Sequence, residues 1–502
     1  MPRRSHGVVI VVALMGVTAL AMLLPAAVGF TLREHQLARA FLYSSLLLGA
    51  LTVFVHLANR SGSVVKITTA HPFFYLSFAY VFLPVLMAVP LTEAVPGIRF
   101  IDAWFEMLSA FTTTGASVLE GEVTRSLHLW RATVAWGGGL FLMAVAVALL
   151  APLNVGGFEL FRSQSGTIGV TPGWVEMHQP TRIDESYDDK VLSRLADQLR
   201  VIAPVYVGLT LLLWVALSIA GNPPLVALML AMSTLSTSGI APEGALSGLA
   251  SEMLIACILI FALSRRLWPG AQSMQQMQGP RWRDPELLLA AVILAAILVA
   301  LVLRASLMSS PMGLGAHLAT IWGHVFTSLS FLSTTGFISE VGGGIPGIFA
   351  GAAGIVLLGL ALLGGGVATT AGGLKLMRVF ALAWQARREV SKLVYPDSVG
   401  GDGARLRGLR RDGAFSAWLF LMIFIFTLTA LTALLTLTGM RMEDSTIFAV
   451  AALTTTGPLV QIAGPEVLHW SELGDIGKMI LALGMLLGRL ELLLLLSVFW
   501  RR

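Results

Sequence analysis

Ten separate stretches of apolar residues run along the chain, and most are about as long as a bilayer is thick. A helix needs about 20 mostly apolar residues to cross the hydrocarbon core. Charged residues make up only 12% of the 502 residues and hydrophobic ones 56%, whereas a soluble domain has roughly 25% charged residues. This excludes a soluble enzyme and a disordered chain, and it predicts an all-α polytopic membrane protein. The predicted spans are 8–29, 38–58, 72–92, 127–153, 198–220, 247–264, 286–304, 347–363 or 347–386, 414–438 and 476–499.

The first stretch follows Arg3 and Arg4, an arrangement found in secretory signal peptides as well as in membrane anchors. The apolar part of a signal peptide usually has about 7–15 residues. Here the run covers 8–29, with no obvious small-residue cleavage site. We therefore interpret it as a retained membrane helix.

Lysine and arginine collect in alternate connecting segments, which sets the expected orientation. They follow span two, lie between spans four and five and between spans six and seven, and are densest in 375–411. Cytoplasmic segments carry an excess of these residues. We therefore expect a cytoplasmic N-terminus. The clusters lack interleaved aromatic residues and a recognisable binding fold, so they do not indicate nucleic-acid binding.

Four short segments between the spans align without gaps, and this repeat is the most informative pattern in the chain. One such segment alone would read as a Ser/Thr-rich loop after a short helix, but four in register indicate repeated architecture. The expected unit is helix, half-helix, loop, helix, four times over, after two N-terminal spans. The segments are SAFTTTG at 109–115, STLSTSG at 233–239, SFLSTTG at 330–336 and AALTTTG at 451–457.

The chemistry of these segments points to cation coordination, with no bond made or broken. Non-helical backbone at membrane depth persists only where protein buries it or where it lines a water-filled path. Rings of backbone carbonyls can replace the hydration shell of an ion, and the C-terminal ends of half-helices favour cations. The predicted potassium ligands are Thr113, Thr114, Gly115, Thr237, Ser238, Gly239, Thr334, Thr335, Gly336, Thr455, Thr456 and Gly457.

Four further motifs give the sequence a family resemblance over nearly its whole length. They are DAWFE at 102–106, LWR at 129–131 followed by WGG at 136–138, GRLE at 488–491 and GGGVATTAGGLK at 364–375. With the four Thr-Gly segments, they resemble the TrkH/TrkG/KtrB potassium-uptake family, relatives of the plant HKT transporters. The two extra N-terminal helices favour the TrkH/TrkG branch.

The resemblance implies a potassium-channel-like fold of four fused repeats, each with a pore helix and a filter loop. Two N-terminal transmembrane helices would occupy 1–66. The pore repeats would occupy 67–160, 161–280, 281–400 and 401–502, the third of them containing an intramembrane gating loop.

The glycine-rich stretch 364–375 is the candidate gate. Five glycines in ten residues disfavour a helix interior, since each costs about 1 kcal/mol relative to alanine. A glycine-rich packing face is the alternative, and a phosphate-binding loop is a weaker one because GxxxxGK[ST] does not occur. By resemblance, the gate comprises Gly364, Gly365, Gly366, Thr369, Thr370, Gly372, Gly373, Lys375 and Arg489.

Three charged residues in the motifs allow more than one interpretation. Arg489 faces the pore by resemblance, or else pairs with Glu491 or reaches the interface. Glu106 is interpreted as structural, holding a loop N–H or Arg131. Asp102 is expected to be an N-cap.

Three positions depart from the family pattern. Ser238 stands where second filter loops commonly have glycine, ISE at 338–340 follows loop three, and SRRLW at 264–268 replaces the expected sequence near the end of span six. These differences concern selectivity and gating. Gly115 argues for potassium, because serine at this point accompanies sodium preference in plant relatives.

The leading hypothesis is potassium uptake across the bacterial inner membrane, with K⁺ as the transported ion and no organic cofactor. Proton- or sodium-coupled symport is the alternative, although few carboxylates besides Glu106 and Glu491 lie in the spans. A membrane enzyme is disfavoured, since the sequence has no HExxH or GxSxG motif and a single cysteine, Cys257. The resemblance also implies a homodimer and a cytoplasmic nucleotide-binding TrkA-type regulatory subunit.

Overall fold

The computed structural model describes residues 6–60, 72–119, 123–150, 186–242, 244, 246, 248–268, 284–307, 314–341, 352–394, 411–464 and 466–490. These residues form helices joined by loops, and they contain no strand. This confirms the all-α prediction. The boundaries expected between the four repeats all fall outside the described ranges.

The α-helices of the described ranges are numbered in chain order. They are α1 (His6–Ala21), α2 (Leu23–Thr31), α3 (His35–Arg60), α4 (Pro72–Ala94), α5 (Phe100–Phe111), α6 (Arg125–Val145), α7 (Ser186–Ile219), α8 (Pro224–Ser236), α9 (Gly248–Leu263), α10 (Pro285–Leu307), α11 (Leu314–Leu332), α12 (Ala352–Leu363), α13 (Leu376–Val394), α14 (Arg411–Thr436), α15 (Met442–Leu453), α16 (Val460–Ala463) and α17 (Asp475–Arg489).

Six helical stretches in the described part of the chain are long and apolar enough to cross a bilayer. They are Val9–Thr31, His35–Asn59, Ser77–Ala94, Arg125–Ala148, Arg194–Ile219 and Gly413–Thr436. Shorter apolar helices occur at Pro224–Ser236, Gly248–Leu263, Pro285–Ala300 and Gly354–Leu363. Large apolar side chains such as Phe54, Ile219 and Phe426 are exposed on the outer surface, as hydrocarbon surroundings require.

The helix positions agree with the predicted spans except around the glycine-rich stretch. There α12 ends at Leu363 and α13 begins at Leu376. The longer alternative for this span, 347–386, is therefore wrong. The last predicted span, 476–499, is helical up to Arg489, and its remainder extends beyond the described residues.

A helix ends inside each of the four aligned segments. These helices are α5, α8, α11 and α15, with 12, 13, 19 and 12 residues. At 1.5 Å per residue, a helix of 12 residues is about 18 Å long, well short of the roughly 30 Å hydrocarbon core. Three of the four are thus half-helices in length, and α11 is longer.

Each of these four helices packs against a helix that follows a different one of the four in the chain, and the contacts run around a closed ring. The helix α6 packs on α8, α9 on α11, α12 on α15, and α17 on α5. The final contact joins the end of the chain to its first quarter. The largest cluster of buried apolar side chains includes residues of these four helices, among them Phe105, Phe326, Phe331 and Phe448.

Candidate functional site

The four aligned segments share one unusual backbone conformation. Thr113, Thr237, Thr334 and Thr455 all have φ between 53° and 56°. A β-branched residue in the left-handed region is rare, and a strained residue of this kind costs roughly 1–3 kcal/mol. Such strain persists only where the surrounding structure holds it, so its fourfold recurrence marks these segments as a candidate site.

Each left-handed threonine forms part of the same helix-ending motif. In the first segment, Thr113 N donates to Ala110 O over 2.8 Å and Thr114 N donates to Ser109 O over 2.8 Å. This is the hydrogen-bond pattern of a Schellman motif, where glycine is the usual left-handed residue. The same pairs recur after the other three helices, with Thr237 and Ser238, Thr334 and Thr335, and Thr455 and Thr456 as the donors.

The glycines that follow bring each loop against the next. We name the last four residues of each aligned segment loop 1 (112–115), loop 2 (236–239), loop 3 (333–336) and loop 4 (454–457). A Cβ atom built on Gly115 would lie 1.9 Å from Ser238 O, and one on Gly239 would lie 2.2 Å from Thr335 O. Only glycine permits these two approaches, whatever its φ.

Loops 3, 4 and 1 complete the circle. A Cβ atom on Gly336 would lie 2.9 Å from Pro458 Cγ. Gly457 N donates to Thr114 O over 2.6 Å. Loop 1 therefore touches loop 2, loop 2 touches loop 3, loop 3 touches Pro458 directly after loop 4, and loop 4 touches loop 1. Loop 4 is the irregular member, because Gly457 opens a 3₁₀ turn, Gly457–Leu459.

The loops are buried, and their hydroxyl groups are used unequally. Thr237 Oγ1 donates to Ser236 O over 2.7 Å, and Thr334 Oγ1 accepts from Gly372 N over 2.7 Å. Within the described ranges, Thr113 Oγ1 and Thr455 Oγ1 have no hydrogen-bond partner. Buried hydroxyl and carbonyl oxygens of this kind are suitable ligands for a hard cation.

The stretch 364–375 leaves the helix and folds back on itself. Its two ends are joined by Gly365 N donating to Gly372 O and Leu376 N donating to Gly365 O. Gly364 and Gly373 have left-handed φ values of 72° and 76°. The stretch is therefore not a helix interior, and no strand precedes it within the described residues. We call 364–375 the re-entrant segment.

The first half of the re-entrant segment rests on α9 and α10. Gly366 N and Thr369 Oγ1 both donate to Ala262 O, over 3.0 and 2.9 Å. Val367 N donates to Glu286 Oε1 over 2.9 Å. Glu286 is buried in the first turn of α10, so this end of the segment is tied to a carboxylate.

The second half of the segment contacts the loops. Thr370 Oγ1 donates to Leu235 O at the end of α8 over 3.1 Å. A Cβ atom on Gly372 would lie 2.1 Å from Thr454 O. Together with the Gly372–Thr334 bond, these contacts bring 370–372 against α8, loop 3 and loop 4. The Lys375 ammonium donates to Ala371 O within the segment.

Arg489 also reaches the re-entrant segment. It lies at the end of α17, is buried, and its Nη1 donates to Thr370 O over 2.7 Å. The alternative pairing with Glu491 concerns a residue outside the described ranges. The structure thus brings Arg489 and the glycine-rich residues together, as the resemblance implied.

Glu106 satisfies both halves of its structural interpretation. Its Oε2 accepts from Val118 N over 2.9 Å, and its Oε1 forms a buried ion pair with Arg131. The carboxylate therefore holds the segment that follows loop 1.

Asp102 is not the N-cap that the sequence suggested. The N-cap of α5 is Arg99, whose φ and ψ are −78° and 149°. Asp102 lies one turn inside and accepts from Arg99 and from Lys478 Nζ, the latter over 2.7 Å. Hydrogen bonds with Asp102 and Asp475 raise the pKa of Arg99 above its ordinary value. The cluster links α5 to α17.

The departures from the family pattern have local roles. The Ser238 hydroxyl lies 3.1 Å from the hydroxyls of Ser233 and Ser236. Ser264 caps the short turn Arg265–Leu267 and donates to Asp284. Ser339 donates to Glu252.

Sequence reasoning missed two buried carboxylates, Glu252 and Glu286. The available signal was a carboxylate near the start of an apolar span, and such residues usually have a function. In addition to Glu106 and Glu491, the spans therefore contain these two buried acidic residues.

The chain is similar in sequence to known potassium uptake proteins. No family model matches the chain. The chain is 30% identical over 429 residues to the Trk system potassium uptake protein TrkH of Vibrio parahaemolyticus, with 81% of each chain covered. It is 28% identical to TrkH of Escherichia coli over 418 residues, covering 81% of this chain and 80% of the relative. It is 27% identical to TrkG of Escherichia coli over 460 residues, covering 88% and 87%.

The fold has a solved counterpart. The crystal structure of the potassium transporter TrkH from Vibrio parahaemolyticus superposes with a TM-score of 0.78 at 24% sequence identity, and 99% of each chain is covered. The likeness therefore extends over essentially the whole fold, including both N-terminal helices.

Proposed function

The chain belongs to the family of Trk system potassium uptake proteins, and from that premise we propose that loops 1–4 form its potassium filter and the re-entrant segment its gate. The relatives are uptake proteins rather than enzymes, and potassium is the transported ion. The observation that carries the filter proposal is the closed circle of loops with one shared left-handed threonine conformation.

The filter would work by replacing water around the ion. Main-chain carbonyls of the four loops supply oxygen ligands, and the hydroxyls of Thr113 and Thr455 are available as additional ones. The strained threonine conformation is held by helix-ending hydrogen bonds on one side and by the neighbouring loop on the other. Ligands fixed in this way need little rearrangement when an ion arrives.

The gate would work by occupying the space next to the loops. Gly372 approaches loops 3 and 4 and Thr370 the end of α8, while Glu286 and Ala262 hold the other end of the segment. Arg489 adds a buried positive charge beside Thr370, which opposes the passage of a cation. Uptake then requires the segment to leave its contacts with the loops.

The filter proposal is tested by two alanine substitutions at left-handed glycines. Gly115 and Gly97 have φ values of 74° and 81°, but a Cβ atom on Gly97 meets nothing within 4 Å. We expect Gly115→Ala to abolish potassium-limited growth and rubidium uptake in a bacterium without its own potassium uptake systems. Gly97→Ala is expected to retain both.

The assay is run with a TrkA-type subunit co-expressed and with the amount of each variant in the membrane measured. If Gly115→Ala supports growth as well as Gly97→Ala does, ions do not pass through the circle of loops. Failure of the wild type under these conditions would overturn potassium uptake by this chain.

The homodimer, the cytoplasmic nucleotide-binding regulator and the cytoplasmic N-terminus remain predictions from resemblance and charge distribution. The basic segments 182–200 and 375–411 are the proposed docking surfaces for the regulator. Location in the bacterial inner membrane is supported by the relatives and by the apolar helices.

A further inference from the structure

Glu252 is a fully buried carboxylate near the start of α9. Its Oε1 accepts from Glu340 N over 2.8 Å and from Val341 N over 3.2 Å. Its Oε2 accepts from Trp322 Nε1 over 2.7 Å, and Ser339 Oγ donates to the carboxylate over 2.8 Å. Within the described ranges, no lysine or arginine forms an ion pair with it. Both oxygens act as acceptors, which is how an ionised carboxylate behaves.

All four donors to Glu252 belong to the stretch that contains loop 3. Trp322 lies in α11, the helix that leads into the loop, and residues 339–341 lie directly after it. A side chain from α9, a separate helix, therefore connects α11 before loop 3 with the residues that follow the loop. Charge-assisted hydrogen bonds are roughly twice as strong as neutral ones, so this carboxylate strongly restrains the residues on either side of loop 3.

Loop 1 provides an internal comparison. Glu106 accepts from Val118 N, three residues after Gly115. The corresponding residue after loop 3 is Ser339, whose N–H donates to Thr327 Oγ1 over 3.3 Å. Thr327 stands nine residues before Gly336, as Glu106 stands nine before Gly115. Loop 3 thus has an uncharged hydroxyl where loop 1 has a carboxylate.

The charge that loop 3 lacks in its own helix is supplied by α9. We propose that Glu252 is a positioning residue that sets the shape of loop 3, and through it the discrimination of potassium from sodium. This inference rests on the proposed filter. Selectivity depends on the number and arrangement of the coordinating oxygens, and a carboxylate that anchors the helix before one loop and the residues after it restricts that arrangement.

The test compares Glu252→Gln with Glu252→Asp and with Glu340→Gln. Glu340 contributes only its backbone N–H to the carboxylate, and its side chain is exposed, so its variant is the matched control. The readout is rubidium uptake per amount of protein in the membrane, measured under competition by potassium and by sodium. A role in general stability would lower the amount of protein and leave the sodium-to-potassium competition ratio unchanged.

We expect Glu252→Gln to lower this discrimination about tenfold, the equivalent of losing one hydrogen bond to a charged group. Glu252→Asp is expected to lie between the wild type and the glutamine variant, and Glu340→Gln to match the wild type. If Glu252→Gln does not accumulate in the membrane, Ser339→Ala takes its place, with a smaller shift expected in the same direction. An unchanged ratio in Glu252→Gln, or in Ser339→Ala where that variant replaces it, overturns the inference.

Gly115→Ala in the same assay separates the two proposals. If Gly115→Ala leaves uptake and selectivity unchanged, the filter proposal fails and the role of Glu252 with it. If Gly115→Ala abolishes uptake while Glu252→Gln retains wild-type discrimination, only the role of Glu252 is overturned.

Discussion

The backbone N–H of Gly372 donates a hydrogen bond to the side-chain oxygen of Thr334 over 2.7 Å. One partner belongs to the re-entrant segment and the other is the left-handed residue of loop 3. Because the hydroxyl of Thr334 is engaged by the segment, gate and filter share an atom in the proposed mechanism. Movement of the segment therefore frees an oxygen at the filter.

Replacing Thr334 by valine should loosen the gate. Valine keeps the β-branched shape and removes the acceptor, and a hydrogen bond contributes roughly 0.5–1.5 kcal/mol net. We expect rubidium uptake measured without a TrkA-type subunit to rise about two- to tenfold. Thr237→Val is the control, since that hydroxyl donates locally to Ser236 O. Basal uptake of Thr334→Val at or below that of Thr237→Val would contradict the shared role of this oxygen.

Replacing Arg489 by methionine should also increase basal uptake, for two reasons. The Thr370 carbonyl loses its donor, and a positive charge leaves the proposed ion path. Methionine retains much of the apolar length of the arginine stem. Arg125→Met, at an exposed arginine that begins α6, is the control. Uptake initiated by adding rubidium to proteoliposomes is the measurement, and a rate equal to that of the wild type would count against a gating role.

Two adjacent glycines in α6 should differ sharply in their tolerance of alanine. A Cβ atom on Gly138 would lie 2.1 Å from Phe111 O, the last carbonyl of α5, whereas one on Gly137 meets nothing within 4 Å. Overpacking typically costs about 1–3 kcal/mol. We expect Gly138→Ala to lower the thermal midpoint of the detergent-solubilised protein and Gly137→Ala to raise it slightly, because alanine is favoured over glycine in a helix interior. Gly488→Ala should behave like Gly138→Ala, since its Cβ atom would lie 2.1 Å from Leu453 O.

The thermal midpoints of these variants are measured by heating the protein and using size-exclusion chromatography to quantify the fraction that stays monodisperse. Equal midpoints for the Gly137 and Gly138 variants would show that α6 shifts freely against α5.

The buried ion pair between Arg131 and Glu106 predicts a non-additive double mutant. Arg131→Met leaves a carboxylate buried without its cation, which typically costs about 3–5 kcal/mol. Adding Glu106→Gln removes that charge and keeps an acceptor for Val118 N. We expect the double variant to have a higher thermal midpoint than Arg131→Met alone. A double variant that is no more stable than the single one would mean that the pair is not charged in the folded protein.

The parts of the fold that follow local patterns were predictable from the sequence. Long apolar runs placed the spans, and the aligned Thr-Gly segments placed the loops, because both depend on residues close together in the chain. The break at 364–375 was also visible, since glycine disfavours a helix interior wherever it stands. Arg99 shows the limit of this approach, since its extended backbone starts α5 before Asp102 and leaves that carboxylate inside the first turn.

Features that depend on distant partners were not predictable. Glu252 and Ser339 are 87 residues apart, and nothing near either residue indicates the contact. The sequence shows a threonine at the position of Thr113 in all four segments. Its left-handed φ could not be predicted, because threonine rarely adopts that conformation. The sequence predicted that the re-entrant segment lies near the loops. It could not predict that Gly372 N donates to Thr334, because that hydrogen bond depends on tertiary packing.

The contact between Gly457 and Thr114 has a consequence for biosynthesis. These two residues close the circle of loops, and they come from opposite ends of the chain. A nascent chain that has not yet reached residue 457 has three sides of the circle and an open fourth. In the proposed mechanism, the ion filter of a newly made protein is therefore completed only when the last of its four loops has been inserted.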